Sequence, residues 1–322
     1  SVPSKSIAGP SGSDAAALSG YCRSRGAPLG HDPPLAGPLL DQRQGFSPWP
    51  RNSKVLGLRR LSVPAGMLAL WALGQAGFVI KGGDMIVYID PYLSGEVARD
   101  GGHGRRFPVP IVPGAIRHAQ AVFATHEHMD HADGATLGPL MAASPQAVLI
   151  TSPGGRDVAL EADVPAERIV LPRLGQPASI GGLRYTAIPA AHYSYEVDAE
   201  GHSRWMGFLL EWNGVTIYHS GDTIMIPEIA AALDGARIDL ALLPINGRDY
   251  FRDQRTIVGN LWPGEAVQLA GQLGARVLIG VHNDLFAGNR VNPSLLFDEI
   301  ERRAPFQRCH MLQPGELYLY AG

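Results

Sequence analysis

The run Thr125-His126-Glu127-His128-Met129-Asp130-His131 constrains this chain more than any other stretch. It follows a short apolar segment, residues 121–124, that reads as a buried strand. It precedes residues 132–143, which read as a helix. At a strand end, residues i and i+2 point to the same side, so His126 and His128 can grip one ion. Asp130 and His131 stand where the chain turns toward the helix and can reach a second ion. Imidazole with carboxylate suits Zn²⁺ first, with Mn²⁺ or Fe as alternatives. The bland alternative is a polar loop with incidental histidines.

Further residues of the same kind follow downstream, each after a predicted strand. His192 comes after strand 183–188 and the small pair Ala190-Ala191. His219-Ser220-Gly221-Asp222 closes strand 216–219, and His282 follows strand 276–281. One Asp222 carboxylate can bridge two ions. A lone histidine is usually a satisfied core residue; three such positions after strands shift the weight to a metal centre.

The pattern also predicts strands over 68–73, 77–80, 85–89, 121–124, 147–150, 168–171, 208–212 and 240–244. Helices are predicted over 134–143, 154–162, 227–233, 263–273 and 293–303. Strands come first, then strand–helix alternation, then a second set of the same. That order suits an α+β fold of four layers, an αββα sandwich with two mixed sheets face to face. No short-period repeat is visible, although the two halves suit structural relatives. Residues 1–62 are rich in Gly, Pro and Ser without periodicity and read as an N-terminal extension to a domain over 63–322.

Composition narrows the function. Apolar residues make up 45% and charged residues 18% of 322, enough for a sizeable core. A net charge of −3 gives no global attraction to nucleic acid, and no run of about 18 apolar residues exists to span a membrane. Two cysteines, Cys22 and Cys309, make no disulfide framework. With no secretory pattern at the start, these features read as a cytoplasmic protein acting on a small molecule, with homo-oligomerisation left open.

The ordered set Asp90, His126-x-His128-x-Asp130-His131, His192, Ser220-Gly221-Asp222 and His282 resembles the metallo-β-lactamase superfamily, over about residues 67–320. Three segments, Leu70 to Gly77, Ile217 to Asp222 and Val281 to Phe286, are similar to its L-ascorbate-6-phosphate lactonase branch. That branch tends to have His-His-Asp where this chain has His282-Asn283-Asp284, and to lack a histidine at His192. The resemblance implies that His126, His128 and His192 hold one metal and that Asp130, His131 and His282 hold a second. It implies Asp222 as the bridge and Asp90 behind the ligands, orienting a ligand histidine or the loop after the cluster. It also implies a hydroxide between the metals as nucleophile.

The chemistry agrees: a bound divalent ion lowers the pKa of water from 15.7 to about 7. Asp130 is placed to orient the hydroxide or carry its proton to the leaving group. His219 is a lesser candidate acid, or a partner behind the ligands. In the loop 246–253, Arg248 and Arg252 are candidates to bind a phosphate or carboxylate, against a salt-bridged loop as the alternative. Asn246 and Tyr193 are candidates to line the site, and Glu265 reads as a helix cap. The leading expectation is a hydrolase of a lactone or small ester, phosphorylated or not. A phosphodiesterase is the alternative, and a non-catalytic metal-binding module ranks below it.

Overall fold

Alternation along buried strands sets the architecture. In the computed structural model, which describes residues 57–322 except 59 and 256, strand β1 (Met67–Gly74) sends Leu68, Leu70 and Ala72 to one face and Ala69, Trp71 and Leu73 to the other. Strands β2 (Gly77–Gly82), β3 (Met85–Ile89) and β4 (Ala121–Ala124) divide in the same way. Both faces are apolar because both are covered.

The first face meets the equivalent face of a second sheet. That sheet comprises β7 (Pro177–Ile180), β8 (Leu183–Pro189), β9 (Met206–Trp212), β10 (Val215–His219), β11 (Leu240–Pro244), β12 (Val277–Val281) and β13 (Arg308–His310). The outer face of the first sheet packs on Leu137, Leu140 and Met141 of helix α2 (Gly134–Ala143) and Ala159 of α3 (Pro153–Glu161). The outer face of the second packs on α4 (Pro227–Ala232), α6 (Pro263–Gln272) and α7 (Ser294–Arg303). Two four-residue helices, α1 (Glu96–Arg99) and α5 (Tyr250–Asp253), lie in loops. The result is the expected αββα sandwich.

The first sheet runs β14 (Leu317–Ala321), β1, β2, β3, β4, β5 (Val148–Thr151), β6 (Ile169–Val170), and the second runs β13 to β7. Each sheet has three antiparallel pairings at one end and three parallel ones at the other, so the two halves share one plan without sequence repetition. Three strands differ from the sequence reading. β7, β13 and β14 are edge strands with largely exposed residues, so they lack the apolar run that marks a central strand. The stretch read as strand 168–171 keeps only Ile169–Val170.

The carboxyl ends of parallel strands in the two sheets deliver the candidate residues: Asp90 from β3, residues 125–131 from β4, Asp222 from β10, and His282 from β12. Residues 1–56, most of the expected extension, lie outside the described residues, as does Cys22. Cys309 is half-buried and free. No helix among the described residues is long and apolar enough to cross a membrane.

Candidate metal centre

Short buried strands end here in tight turns, and the backbone shows it. Gln75, Asp90 and His282 all have left-handed φ, at 58°, 44° and 59°. Such conformations cost about 1–3 kcal/mol each and persist only where the surroundings fix them. Gly221, at φ 61°, is needed for another reason: a Cβ there would meet Met206 O at 2.7 Å and Thr125 Cβ at 2.9 Å. The glycine lets the turn press on Thr125 and carry Asp222 inward.

His126, His128 and His192 each offer one ligand atom within 4.8 Å of the others, as do His126, His131 and Asp222, and also Asp130, His131 and His282. Asp222 lies among all of them. Its Oδ1 is 3.3 Å from His131 Nε2, and its Oδ2 is 3.1 Å from His192 Nε2 and 3.2 Å from His282 Nε2. His282 Nε2 is also 3.2 Å from Asp130 Oδ2. The seven residues drawn from positions 126 to 282 therefore converge on one locus.

A buried chain of hydrogen bonds fixes the ring tautomers. Asp90 Oδ1 accepts from Thr125 N at 2.8 Å, and its Oδ2 accepts from Thr125 Oγ1 at 2.9 Å and from His131 Nδ1 at 2.8 Å. A carboxylate only accepts, so His131 carries its proton on Nδ1 and turns Nε2 to the centre. Thr125 Oγ1 has spent its proton on Asp90, so it accepts from His126 Nδ1 at 3.0 Å. His126 Nε2 is thereby left bare, buried and without a hydrogen-bond partner. His192 Nδ1 and Nε2 and Asp222 Oδ1 are orphaned in the same way; His192 Nε2 approaches Asp222 without hydrogen-bond alignment. Buried polar atoms are otherwise nearly always paired. Bare imidazole nitrogens and a carboxylate oxygen at one locus fit a divalent cation.

The charge states of His126, His128, Asp130 and Asp222 agree with ligation, while His131 and His282 must give up protons when an ion binds. Burial, then the neighbouring His131 and His128, holds His126 well below the usual imidazole range; burial and His192 lower His128. Both are neutral, as ligands must be. Burial opposes charge on Asp222 and Asp130, but His282 and His131 outweigh it and hold both carboxyls below their usual range. Burial likewise opposes charge on His131 and His282, yet the carboxylates raise His131 well above its usual value and push His282 up to about 9.

Gln75 completes the arrangement and has no counterpart among the sequence candidates. Its Nε2 donates to Asp130 Oδ2 at 2.7 Å and lies 3.0 Å from His282 Nε2, while its carbonyl accepts from His282 N at 2.8 Å. Asp284 Oδ1 accepts from Gln75 N at 2.8 Å and pins the turn. Thr125 was also missed. Both act over contacts that the chain order does not reveal.

Other candidates sit differently. His219 is fully buried, donates from Nε2 to Ala76 O at 2.8 Å and accepts at Nδ1 from Gly221 N at 3.1 Å. With both nitrogens engaged by backbone, it props the turn before Asp222, and its proton is committed to Ala76 O. Arg248 makes a two-pronged pair with Glu265, at 2.6 and 2.7 Å. Arg252 is 7% exposed and binds Asp249 Oδ2 at 2.6 Å, Asn246 O at 2.8 Å and Asn289 Oδ1 at 3.1 Å. Arg248 is thus engaged by α6, and Arg252 by its own loop and by Asn289, which ties the loop to its neighbours. Asn246 is buried and reaches the centre only through Asn289, whose Oδ1 its Nδ2 meets at 2.8 Å. Tyr193 is exposed, its ring 6.1 Å from that of His192.

A cleft of about 210 Å³ opens over Asp130, Asp222 and His282, lined also by Val97, His103, Ile257, Val258, Phe286 and Asn289.

Comparison with known proteins gives a consistent picture. The β-lactamase superfamily domain matches residues 86–283. A UPF0173 metal-dependent hydrolase of Methanoculleus marisnigri is 30% identical over 250 residues, covering 76% of this chain and 93% of that protein. A probable L-ascorbate-6-phosphate lactonase of Escherichia fergusonii is 25% identical, covering 72% of this chain and 73% of its own. Among solved structures, an isothiocyanate hydrolase from Delia radicum gut bacteria superposes with a TM-score of 0.62 at 18% identity, covering 79% of this chain and 100% of that one. At that identity the likeness speaks for the fold alone.

Proposed function

The chain belongs to the metallo-β-lactamase superfamily and is a metal-dependent hydrolase, and from that premise we propose that it opens a lactone or cleaves a small ester with two divalent ions. One observation carries the reading. The Asp222 carboxylate lies within 3.1 to 3.3 Å of His192, His131 and His282, while bare buried atoms of His126, His192 and Asp222 itself face the same locus. We assign His126, His128 and His192 to one ion, Asp130, His131 and His282 to the other, and Asp222 to both. Zn²⁺ is the first choice for this ligand set, with Mn²⁺ or Fe as alternatives.

Divalent ions at such a site supply a water nucleophile near neutral pH and polarise the scissile carbonyl. The protein does the rest. Asp130 lines the cleft, where its carboxylate can orient the attacking water and pass its proton to the leaving alkoxide. Asp90 and Thr125 hold His131 and His126 in the tautomers that ligate. The similarity to a probable lactonase supports the lactone or ester as the scissile group. Residues 63–322 form the hydrolase domain in this reading.

The test is metal analysis of the full chain joined to rates on lactones, esters, phosphodiesters and β-lactams with Zn²⁺ or Mn²⁺. Two ions per chain and preferred turnover of a lactone or ester are expected. Asp222→Ala should lose bound metal and at least on the order of 10³ in kcat/KM, the scale seen when a key stabilising group is removed. A metal-free protein, or rates indifferent to Asp222→Ala, would overturn the reading.

A further inference from the structure

We propose that the cleft takes a small uncharged lactone or ester with an apolar arm, in preference to a phosphorylated one. The inference rests on the hydrolytic reading above and names its substrate class.

The walls carry the argument. Val97, Ile257 and Val258 are half-buried and Phe286 is 4% exposed, and all four line the cleft that holds Asp130, Asp222 and His282. Phe286 and Val97 belong to a small apolar cluster with Tyr92, Leu285 and Phe107, so this wall is backed by packed side chains. Its two flanking loops are tied together: Arg106 N donates to Leu285 O at 2.9 Å, and Arg105 pairs with Phe286 as an antiparallel bridge. His103 packs on Gly288, where a Cβ would come within 2.2 Å of its Nε2. At about 210 Å³ the cleft is smaller than the roughly 300–1,000 Å³ of drug-sized sites, so the substrate is small.

Away from Asp130, Asp222 and His282, the polar complement is small. Asn289 Oδ1 is engaged by Asn246 and Arg252, which leaves its amide nitrogen to donate to a ligand. His103 offers an imidazole. Among the described residues that line the cleft there is neither Lys nor Arg. Arg248 is paired with Glu265 and Arg252 with Asp249. A phosphate remote from the scissile bond would lose its water against Val97 and Phe286 with no fixed cation in exchange, which is strongly unfavourable. An alkyl arm in the same place gains with every buried methylene.

The test uses the metal-loaded full chain with γ-lactones of increasing alkyl length and 6-phosphogluconolactone as the anionic probe. kcat/KM should rise roughly fourfold per methylene until the cleft is full, the effect of one buried CH₂. The longest accommodated γ-lactone should exceed the phosphorylated lactone at least tenfold. Phe286→Ala should flatten the length dependence, and Val258→Arg should shift preference toward the phosphorylated probe. Binding of the matching alkyl γ-lactams, read by calorimetry, follows the same series without turnover. Affinity rising with length supports the proposal, and flat affinity overturns it. Faster hydrolysis of the phosphorylated lactone sinks the substrate class and leaves hydrolysis standing. Lactams that bind in the expected order, with no lactone or ester turned over, sink the hydrolytic reading and leave the ligand class standing.

Discussion

Two polar clusters sit side by side at the mouth of this fold, and they differ in one respect. In the loop of Arg248 and Arg252, the polar groups find partners: Glu265 for Arg248, and Asp249, Asn246 and Asn289 for Arg252. At the centre around Asp222, imidazoles crowd with ring centroids 4.2 to 5.4 Å apart, and buried nitrogens of His126 and His192 have no partner. Both clusters are rich in the residue types that do chemistry. The first leaves a single amide oxygen, of Asn260, without a partner, whereas the second leaves several ring nitrogens and a carboxylate oxygen bare at one locus. A complete network stabilises the protein that owns it; an incomplete one awaits a ligand.

Removing the ligand altogether should expose that difference most. In metal-free protein, burial disfavours charge on His282, but Asp222 and Asp130 raise its pKa to about 9, above the unfolded value of about 6.5. A raised folded-state value contributes stability fully present below about pH 6.5 and lost as pH climbs through about 9. The span corresponds to roughly 3–4 kcal/mol at most. Thermal melts of chelated protein should therefore fall between pH 6.5 and 9, and the metal-loaded protein, whose His282 must be neutral, should lack that slope. A chelated protein with flat melting over this range would show that the carboxylates do not compensate the histidine.

Asp90→Asn is the next largest test. It keeps the shape but weakens the acceptor for His131 Nδ1 and Thr125 Oγ1, at 2.8 and 2.9 Å. Loss of such a partner costs about 10–100-fold in metal affinity. Competition with a chromogenic chelator measures it; unchanged affinity would mean that ring orientation is set elsewhere.

The same contrast explains what the sequence could disclose. The run 126–131 was legible because its residues are neighbours in the chain, placed by one buried strand. His192, Asp222 and His282 were legible because each follows an apolar run whose end the eye can find. Gln75 was not, since it acts on Asp130 and His282 from 55 and 207 positions away. The pairing of Arg248 was not legible either, because its partner Glu265 lies 17 positions on, across a turn. Glu265 does cap its helix, accepting from Trp262 N at 2.8 Å, but it holds Arg248 as well. The central strands announced the sandwich through continuous burial. β7, β13 and β14 did not, because an edge strand with exposed residues carries no such signature.

Gln75 stands between the two clusters in character, because it satisfies atoms that an ion would otherwise take. Its amide donates to Asp130 Oδ2 at 2.7 Å and lies 3.0 Å from His282 Nε2, whereas no such group touches His126 Nε2 or His192. The ion held by His126, His128 and His192 should therefore bind first. The second ion must displace a hydrogen bond to a charged acceptor, worth about 1.5–3 kcal/mol. Gln75→Ala should tighten the second binding step by about tenfold and leave the first unchanged, as read from stepwise calorimetric titration. Equal effects on both steps would show that Gln75 acts on the whole centre through the fold.

The smallest effect is expected on the complete side of the comparison. Arg248→Ala removes a two-pronged pair with Glu265, but the arginine side chain is 36% exposed, and pairs so exposed to water contribute little. Stability should fall by under about 1 kcal/mol, a shift of a few degrees in melting. Turnover of a neutral lactone should stay within about twofold, because the side chain is absent from the cleft lining. The informative substrate is a phosphorylated lactone, since a guanidinium that leaves Glu265 to meet a phosphate would make its loss visible there and nowhere else. A selective drop of tenfold or more on that substrate would move Arg248 from the closed network into the working site. It would also show that partner count in the free protein does not separate structural arginines from functional ones.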